Sequence, residues 1–507
     1  MRLGPLGTWR PAPGRVWEIR PTATTRAAVE DSPVSPGAPS FLQGDHLGAF
    51  AALRDGGGTH MAWTGVASVV HARFDGDRWC RALGAFLADH EGQRSWFELP
   101  TDEPPVRRLL GAETVTAPGA FELVEVDLGP DLDSTRPGDF ADALHAWIAA
   151  TFPDRCRPDG WPAFGMLVVE HDEEFAFIWC CDHAFTDAAS QLLVGTELPE
   201  RYDALGRGVE PDPAIVAPAD ERGSFLAHAG AERDRAASYG PTSPEVARWR
   251  EMIAERGGLP SFPLDLGLAP GASAPVRVHV LDLVSGEDLV CLEKQAKANG
   301  ARVPSAVIAA CAATEARLTG RERYLGVTVM GTRDQGPHAR AQGWFCNFAP
   351  LAVDLRGHDR FSTVLPVAEG AFAEARALAR MPVHAALGHL LLEGTLSPES
   401  LGSPQLLSYL DLRWFPGARG TGAAADAYRE GLHFTGEGRT RNASSWFNRD
   451  DERLYVAVQA PDTPEAALSV RQYFGQVRSL LLSLAQTGDA WVTSGVPAGR
   501  IDAAHAR

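Results

Sequence analysis

Two apolar runs in the first half of the chain lie on either side of a short polar segment. Residues 166–170 and 175–181 are almost wholly apolar, whereas residues 171–174 read His-Asp-Glu-Glu. Apolar runs of this length that flank a polar turn are typical of two buried strands joined as a hairpin. The second run leads directly into Asp-His-Ala-Phe-Thr-Asp at 182–187, and the pattern of residues 188–198 predicts a helix after it.

The second half of the chain changes repeatedly between strand-like and helix-like patterns. Residues 276–281 alternate as a half-buried strand does, and the almost continuous apolar pattern of residues 304–318 predicts a buried helix. The further predicted elements are helices at 285–300 and 463–486, strands at 324–330, 348–355 and 406–412, and a hairpin that pairs 445–447 with 454–458. The order of elements is mixed, and no glycine-rich nucleotide-binding loop follows a strand.

Connectors rich in proline and glycine divide the chain into two bodies of similar size. The predicted segments are a leading strand near residues 16–19 with a loose connector (1–39), a first body (40–205), a connector with a linker helix (206–275), a second body (276–488) and a tail (489–507). This organisation predicts an α+β fold, and a cleft between two such bodies is a favoured place for a ligand.

The linker helix is marked by Ser243, Pro244 and Glu245. We expect the serine hydroxyl to cap the helix, Pro244 to occupy its first position and the carboxylate of Glu245 to favour the positive end of the helix dipole. Gly257 and Gly258 predict the end of the helix.

The composition disfavours several classes of function. A formal net charge of −18 over 507 residues disfavours a general binder of nucleic acid or of anionic membranes, because both reward a basic surface. No apolar run approaches the roughly 18 residues of a transmembrane span, and the first residues lack the apolar core of a secretory signal, so we expect a cytoplasmic protein. The seven cysteines form no Cys-x-x-Cys pair, so the sequence predicts neither a metal site nor a disulfide framework.

His183 is the candidate for proton transfer, because it follows a buried strand and lies beside a small turn. Its ordinary pKa of about 6.5 lets an imidazole accept a proton from an alcohol or amine near neutral pH. Asp187 can either orient this imidazole or brace the loop through Arg333, since an arginine–carboxylate pair is planar and geometrically demanding. The His-x-x-x-Asp spacing alone is common, and a structural histidine is the alternative.

Four ordered segments resemble motifs of the condensation-domain superfamily. That superfamily includes nonribosomal peptide condensation domains, polyketide-associated acyltransferases, plant BAHD acyltransferases and chloramphenicol acetyltransferase. The matching segments are Ser-Phe-Leu-Gln at 40–43, His-Glu-Gly-Gln-Arg-Ser-Trp-Phe at 90–97, the His183–Asp187 segment against His-His-x-x-x-Asp-Gly, and Arg333 followed by Gly-Trp-Phe-Cys-Asn-Phe-Ala-Pro-Leu at 343–351. Arg248 and Trp249 stand where the superfamily has an aromatic–tryptophan pair in its linker helix.

The resemblance implies a V-shaped pair of chloramphenicol-acetyltransferase-like subdomains with a central tunnel. His183 would sit in the middle of the tunnel as the base or orienting group, and Asp187 would hold the loop through Arg333. The candidate tunnel or substrate residues are Asp182, Asn347, Tyr409 and Asp411.

The resemblance also implies the partners of the reaction. We expect no bound cofactor. The donor would be a thioester of phosphopantetheine on an acyl or peptidyl carrier protein, or of free coenzyme A, because the chain shows no adenylation or carrier segment. The acceptor would be a small-molecule amine or alcohol, in natural-product or lipid biosynthesis.

Two positions depart from the superfamily pattern and leave alternatives open. Asp182 stands in place of the first histidine of the motif, and Ala188 stands in place of the glycine. A left-handed backbone at Ala188 would be strained by roughly 1–2 kcal/mol. These departures motivate the alternative of a catalytically inactive scaffold or recruitment module. A hydrolase or cyclase that acts on one bound chain is the third possibility.

Overall fold

Two seven-stranded sheets form the framework of the protein in a computed structural model. The structure describes residues 1–129, 136–333, 336–397, 401 and 404–492, so most of the predicted tail lies outside the described residues. Each sheet is covered by helices and has its own apolar core. Among the described residues, no helix combines the length and the apolar character needed to cross a membrane.

The first subdomain is built on the sheet order β1-β13-β3-β8-β7-β2-β6. Its strands and helices are β1 (Arg2–Leu3), β2 (Arg15–Pro21), α1 (Ala23–Glu30), α2 (Phe41–Asp55), β3 (Trp63–Val70), α3 (Gly76–Asp89), β4 (Ser95–Glu98), β5 (Val106–Leu109), α4 (Ala112–Thr116), β6 (Phe121–Glu125), α5 (Pro137–Arg155), β7 (Phe164–Glu170), β8 (Phe175–Asp182) and α6 (Ala188–Arg207). Strands β4 and β5 form a separate two-stranded sheet. The hairpin predicted from the two apolar runs is β7–β8, and every residue of β8 is buried.

The second subdomain is built on the sheet order β11-β10-β12-β15-β16-β9-β14. The connector contributes α7 (Phe225–Ala237) and α8 (Pro244–Arg256), and the elements that follow are β9 (Ala274–Ser285), α9 (Gly286–Ala298), α10 (Val303–Thr319), β10 (Arg323–Gly331), β11 (Cys346–Asp354), α11 (Phe361–Leu378), α12 (Val383–Leu392), β12 (Leu406–Asp411), α13 (Ala423–Glu430), β13 (Leu432–Thr435), β14 (Arg439–Thr440), β15 (Ser444–Arg449), β16 (Arg453–Pro461) and α14 (Pro464–Thr487). The buried helix predicted at 304–318 is α10, and the predicted hairpin is β15–β16.

One segment from the second half of the chain crosses into the first sheet. Strand β13 lies between β1 and β3, and it pairs antiparallel with β3. Helix α13, directly before it, buries Ala424, Ala427 and Tyr428. The crossing strand ties the two subdomains together, with only β3 between it and β8, the strand that leads to His183.

Two local predictions were wrong in detail. The hydroxyl of Ser243 does not cap α8; its Oγ instead accepts the backbone N–H of Gly240 at 2.9 Å. Residues 23–30, predicted as part of a loose connector, form helix α1, whose side-chain cap is Thr22. A serine or threonine hydroxyl can accept a hydrogen bond from any of several nearby backbone N–H groups. The sequence alone does not show which of these bonds forms.

Candidate active site

His183 lies in a single 3-10 turn between β8 and α6. The backbone N–H of His183 donates to the carbonyl of Ala62 at 3.1 Å, which fixes the start of the turn beside β3. Ala184 and Phe185 are buried behind the histidine, so the turn rests on the core of the first subdomain. The core of the first subdomain packs against one side of the turn. The His183 side chain lies on the other side, at the interface with the second subdomain.

Two glutamines from different motifs hold the carbonyls of this turn. Gln43 donates its Nε2 to the carbonyl of Ala184 at 2.7 Å, and Gln93 donates its Nε2 to the carbonyl of Phe185 at 2.9 Å. Gln43 is itself held by a reciprocal capping box with Ser40 at the start of α2. The Ser-x-x-Gln segment and the segment around Gln93 therefore support the His183 turn.

The Asp182 side chain is buried at the end of β8 and forms hydrogen bonds with three groups. Its Oδ1 accepts the backbone N–H of Ala184 at 2.8 Å. The Nε2 atom of His46 lies 3.0 Å from Oδ1, and the Nε2 atom of His60 lies 2.7 Å from Oδ2. The sequence did not single out His46 or His60, although His46 follows Gln43 by three residues and so shares one face of α2.

The opposite charges of Asp182 and His46 stabilise each other. Burial alone would raise the pKa of Asp182, but the two histidines outweigh it and hold the pKa below its usual range. Burial alone would lower the pKa of His46, but the Asp182 carboxylate outweighs it and raises that pKa. His46 and Asp182 thus form an ion pair whose side chains are 8% and 0% exposed.

The ligand atoms of His46, His60 and Asp182 all lie within 4.8 Å of one another. Two imidazoles and one carboxylate are a donor set that could take a divalent ion such as zinc. In the structure the same atoms are engaged in hydrogen bonds to each other. Because these bonds satisfy the cluster by themselves, we interpret it as a hydrogen-bonded network and not as a metal centre.

The His183 ring packs against Trp344, from the loop before β11, with ring centroids 4.1 Å apart. Its Nδ1 atom is enclosed and finds no partner on another described residue. Burial, followed by the nearby charge of His46, lowers the pKa of His183, although its own carbonyl and the carboxylates of Asp182 and Asp187 work in the opposite direction. The residue as a whole is nevertheless not completely buried.

Asp187 joins the two subdomains and caps helix α6. Its Oδ1 accepts the backbone N–H of Ser190 at 2.7 Å. Its Oδ2 accepts Nη1 of Arg333 at 2.9 Å and the backbone N–H of Phe345 at 3.0 Å. Of the two roles open to Asp187 from the sequence, these contacts are those of a brace for the loop.

The other candidate residues have partners within the second subdomain. Asn347 donates to the carbonyls of Ala379 and Met381 at 2.7 and 2.6 Å, and Asp411 pairs with Arg413. Tyr409 packs against the second core, where burial raises the pKa of its hydroxyl. None of these three shares a hydrogen bond or ring contact with His183 among the contacts of the described residues.

Two further features bear on the chemistry of the site. Ala188, which replaces the motif glycine, carries no backbone strain, because no described residue other than glycine has a positive φ. Two cavities among the described residues, of about 280 and 170 Å³, do not include His183 in their lining; the first is lined mainly by residues 261–272 and the second by residues 88–94 and 222–225. In the described conformation the Trp344 indole lies directly against the His183 ring.

Comparisons with known proteins agree with this architecture. The chain is 26% identical over 498 residues to acyltransferase PapA3 of Mycobacterium tuberculosis (96% of this chain, 98% of the relative). It is 28% identical over 503 residues to the trehalose-2-sulfate acyltransferase PapA2 of Mycobacterium bovis (95% and 96%). A comparison with protein-family models gave no match.

Solved structures show the same fold. A PapA2 acyl transferase structure superposes with a TM-score of 0.81 at 24% identity, covering 96% of this chain and 100% of that one. The first condensation domain of the calcium-dependent antibiotic synthetase superposes with a TM-score of 0.63 at 19% identity, covering 90% and 98%. These matches confirm the predicted fold of two chloramphenicol-acetyltransferase-like subdomains. The curated relatives are acyltransferases, which agrees with the predicted superfamily and enzyme class.

Proposed function

We propose that the chain transfers an acyl group from a carrier-protein or coenzyme A thioester to a hydroxyl or amine, with His183 as the general base. The observation that carries the proposal is the state of His183. Gln43 and Gln93 hold its turn, and its ring lies against Trp344 of the second subdomain. Burial lowers its pKa, although the residue is not completely buried. A neutral imidazole is the form that accepts a proton.

The chemical step follows from the environment of the two ring nitrogens. Nδ1 is buried without a hydrogen-bond partner among the described residues, so we assign Nε2 as the proton acceptor. Nε2 takes the proton of the acceptor hydroxyl as its oxygen attacks the thioester carbonyl. The tetrahedral intermediate then expels the thiolate, which takes the proton from the imidazolium. An ester and a free thiol result, and the charges balance.

The relatives favour a sugar hydroxyl as the first acceptor to test. One of them is named a trehalose-2-sulfate acyltransferase, and another a 2'-acyl-2-O-sulfo-trehalose (hydroxy)phthioceranyltransferase. A sugar acceptor with a long acyl donor would place the chain in lipid biosynthesis. A thioester donor is supported by a related condensation domain solved in complex with C8-CoA and Leu-SNAC.

A catalytically inactive module is the second hypothesis. Trp344 lies against the His183 ring, and His183 lines neither of the two cavities described above, which are the observations in its favour. Against it stand the absence of a positive φ at Ala188 and the hydrogen bond that Asp182 accepts from Ala184, since both are compatible with an intact His183 turn. A hydrolase or cyclase would differ from both by turning over without a second substrate.

A substrate panel separates these hypotheses. The protein is incubated with acyl-coenzyme A of several chain lengths and with trehalose, sulfated trehalose, simple alcohols or amines, and products are identified by mass spectrometry. We expect an acylated acceptor and free coenzyme A in equal amounts. Free fatty acid without an acylated acceptor would indicate a hydrolase, and no turnover with any pair would favour the inactive module.

A further inference from the structure

His46 and His183 contact the same indole. The ring of Trp344 lies 4.1 Å from the His183 ring and 5.9 Å from the His46 ring, with His46 edge-on to it. His46 also pairs with Asp182, the residue directly before His183. The shared indole and the ion pair with Asp182 therefore connect His46 to the His183 turn, and the charge of His46 acts on the His183 imidazole.

The titratable groups around the two histidines come from several elements. Asp182, from the end of β8, and His60, from the segment before β3, face His46, while neighbouring Asp45 turns away to pair with His384 at 2.8 Å. His183 experiences the charges of His46, Asp182 and Asp187. His433 on β13 is also close, but burial lowers its pKa to about 4, so it is neutral at neutral pH.

We propose that His46 is a positioning residue for His183: paired with Asp182, it keeps the His183 imidazole in its neutral, proton-accepting form. The inference rests on the proposed role of His183 as base. A positive charge beside an imidazole disfavours its protonation. The Asp182 carboxylate alone would favour protonation of His183. With His46 paired to it, Asp182 still accepts the hydrogen bond from the backbone of the turn, and the His183 imidazole stays neutral.

Exchange of His46 for glutamine separates charge from hydrogen bonding. In His46→Gln the amide retains an N–H donor for Asp182, but the positive charge is lost. The Asp182 carboxylate then favours protonation of His183 with no opposing charge from His46. The fall of kcat/KM at acid pH, the acid limb of the profile, therefore moves to higher pH. Turnover at pH 6 falls more than turnover at pH 8. In Asp182→Asn both charges disappear, because His46 loses the partner that raises its pKa, and we expect a smaller shift of the limb.

His71→Gln is the matched control. His71 also pairs with carboxylates, Glu174 and Glu430, but it lies at the opposite end of β3 from Asp182. This variant leaves the acid limb in place. NMR titration of protein labelled at the histidine Cε1 position follows the same protonation of His183 without an activity assay, so a slow variant still gives a result.

Three outcomes would overturn the proposal. The first is an unchanged titration of His183 in His46→Gln with an unchanged melting temperature. The second is an equal loss of turnover at all pH values, which indicates a structural role only. The third is activity that is lost on chelation and restored by Zn²⁺, which makes the cluster a metal site. If the proposed function itself is wrong, His183→Ala retains turnover in the same assay. This result distinguishes failure of the proposed function from failure of the proposal for His46.

Discussion

Arg333 of the second subdomain forms an ion pair with Asp187 of the first, with 2.9 Å between Nη1 and Oδ2. The side chains are only 12% and 5% exposed, so water screens the pair little. Arg333 also donates to Ser190 Oγ and to the carbonyl of Ala341. One guanidinium thus fixes the first turn of α6, the loop before β11 and the residue four positions after His183.

Removal of this guanidinium should destabilise the protein strongly. Arg333→Ala leaves the Asp187 carboxylate buried without its counter-charge, and we expect a loss of about 3–5 kcal/mol in the free energy of unfolding, measured by urea titration. The control is Arg277→Ala, since the Arg277–Asp462 pair is largely exposed and its loss should cost about 0–1 kcal/mol. Equal effects for the two variants would contradict the account.

The glutamines under the His183 turn should matter for catalysis as well as for stability. Gln43→Leu leaves the carbonyl of Ala184 buried without its donor, at a cost of about 1–3 kcal/mol. Because the turn that carries His183 is then less well held, kcat should fall while the protein remains folded. Gln476→Leu, which removes a hydrogen bond to Arg317 on the far side of the second subdomain, should leave kcat unchanged.

Activity should persist into mildly acidic solution. A general base must be deprotonated, and the environment of His183 lowers its pKa from 6.5, so its neutral form survives at a lower pH than that of an exposed histidine. The acid limb of kcat/KM should therefore lie below pH 6.5. Circular dichroism over the same pH range checks that the fold is intact, and a limb at or above 6.5 would argue against His183 as the titrating base.

The Trp344 indole should keep water away from the reaction. Trp344→Ala removes the ring that packs on His183, so water can compete with the acceptor for the thioester, and the ratio of free acid to acylated product should rise. Trp491→Ala, at an exposed tryptophan that packs against Arg360, should leave this ratio as it is. A constant ratio in the first variant would mean that the indole does not exclude water.

Local patterns in the sequence predicted much of the framework of the fold. The β7–β8 hairpin, helix α10 and the β15–β16 hairpin each follow from a short apolar pattern bounded by polar residues or turns. The position of β13 has no such signature, because its partner strand is far away in sequence: Thr64 bonds to Phe434 across 370 positions. Pairing over such distances depends on the whole fold.

The candidate site was predictable only where a motif preserved it. His183, Asp187 and Arg333 stand in recognisable segments, and the structure brings Asp187 and Arg333 into contact. His46 and His60 belong to no recognised motif, and their role depends on Asp182, a departure from the superfamily pattern. Asn347 stands in a matched motif, yet its amide binds the backbone at Ala379 and Met381, which the sequence could not reveal.

The most direct test of the account is a single-turnover comparison of the wild-type protein and His183→Ala with the same acyl thioester and acceptor. A general base contributes about 10²–10⁴-fold to a rate, so we expect a loss of this size at pH 7.5 with an unchanged melting temperature. Equal rates of acyl transfer in the two proteins would contradict the assignment of His183 as the base.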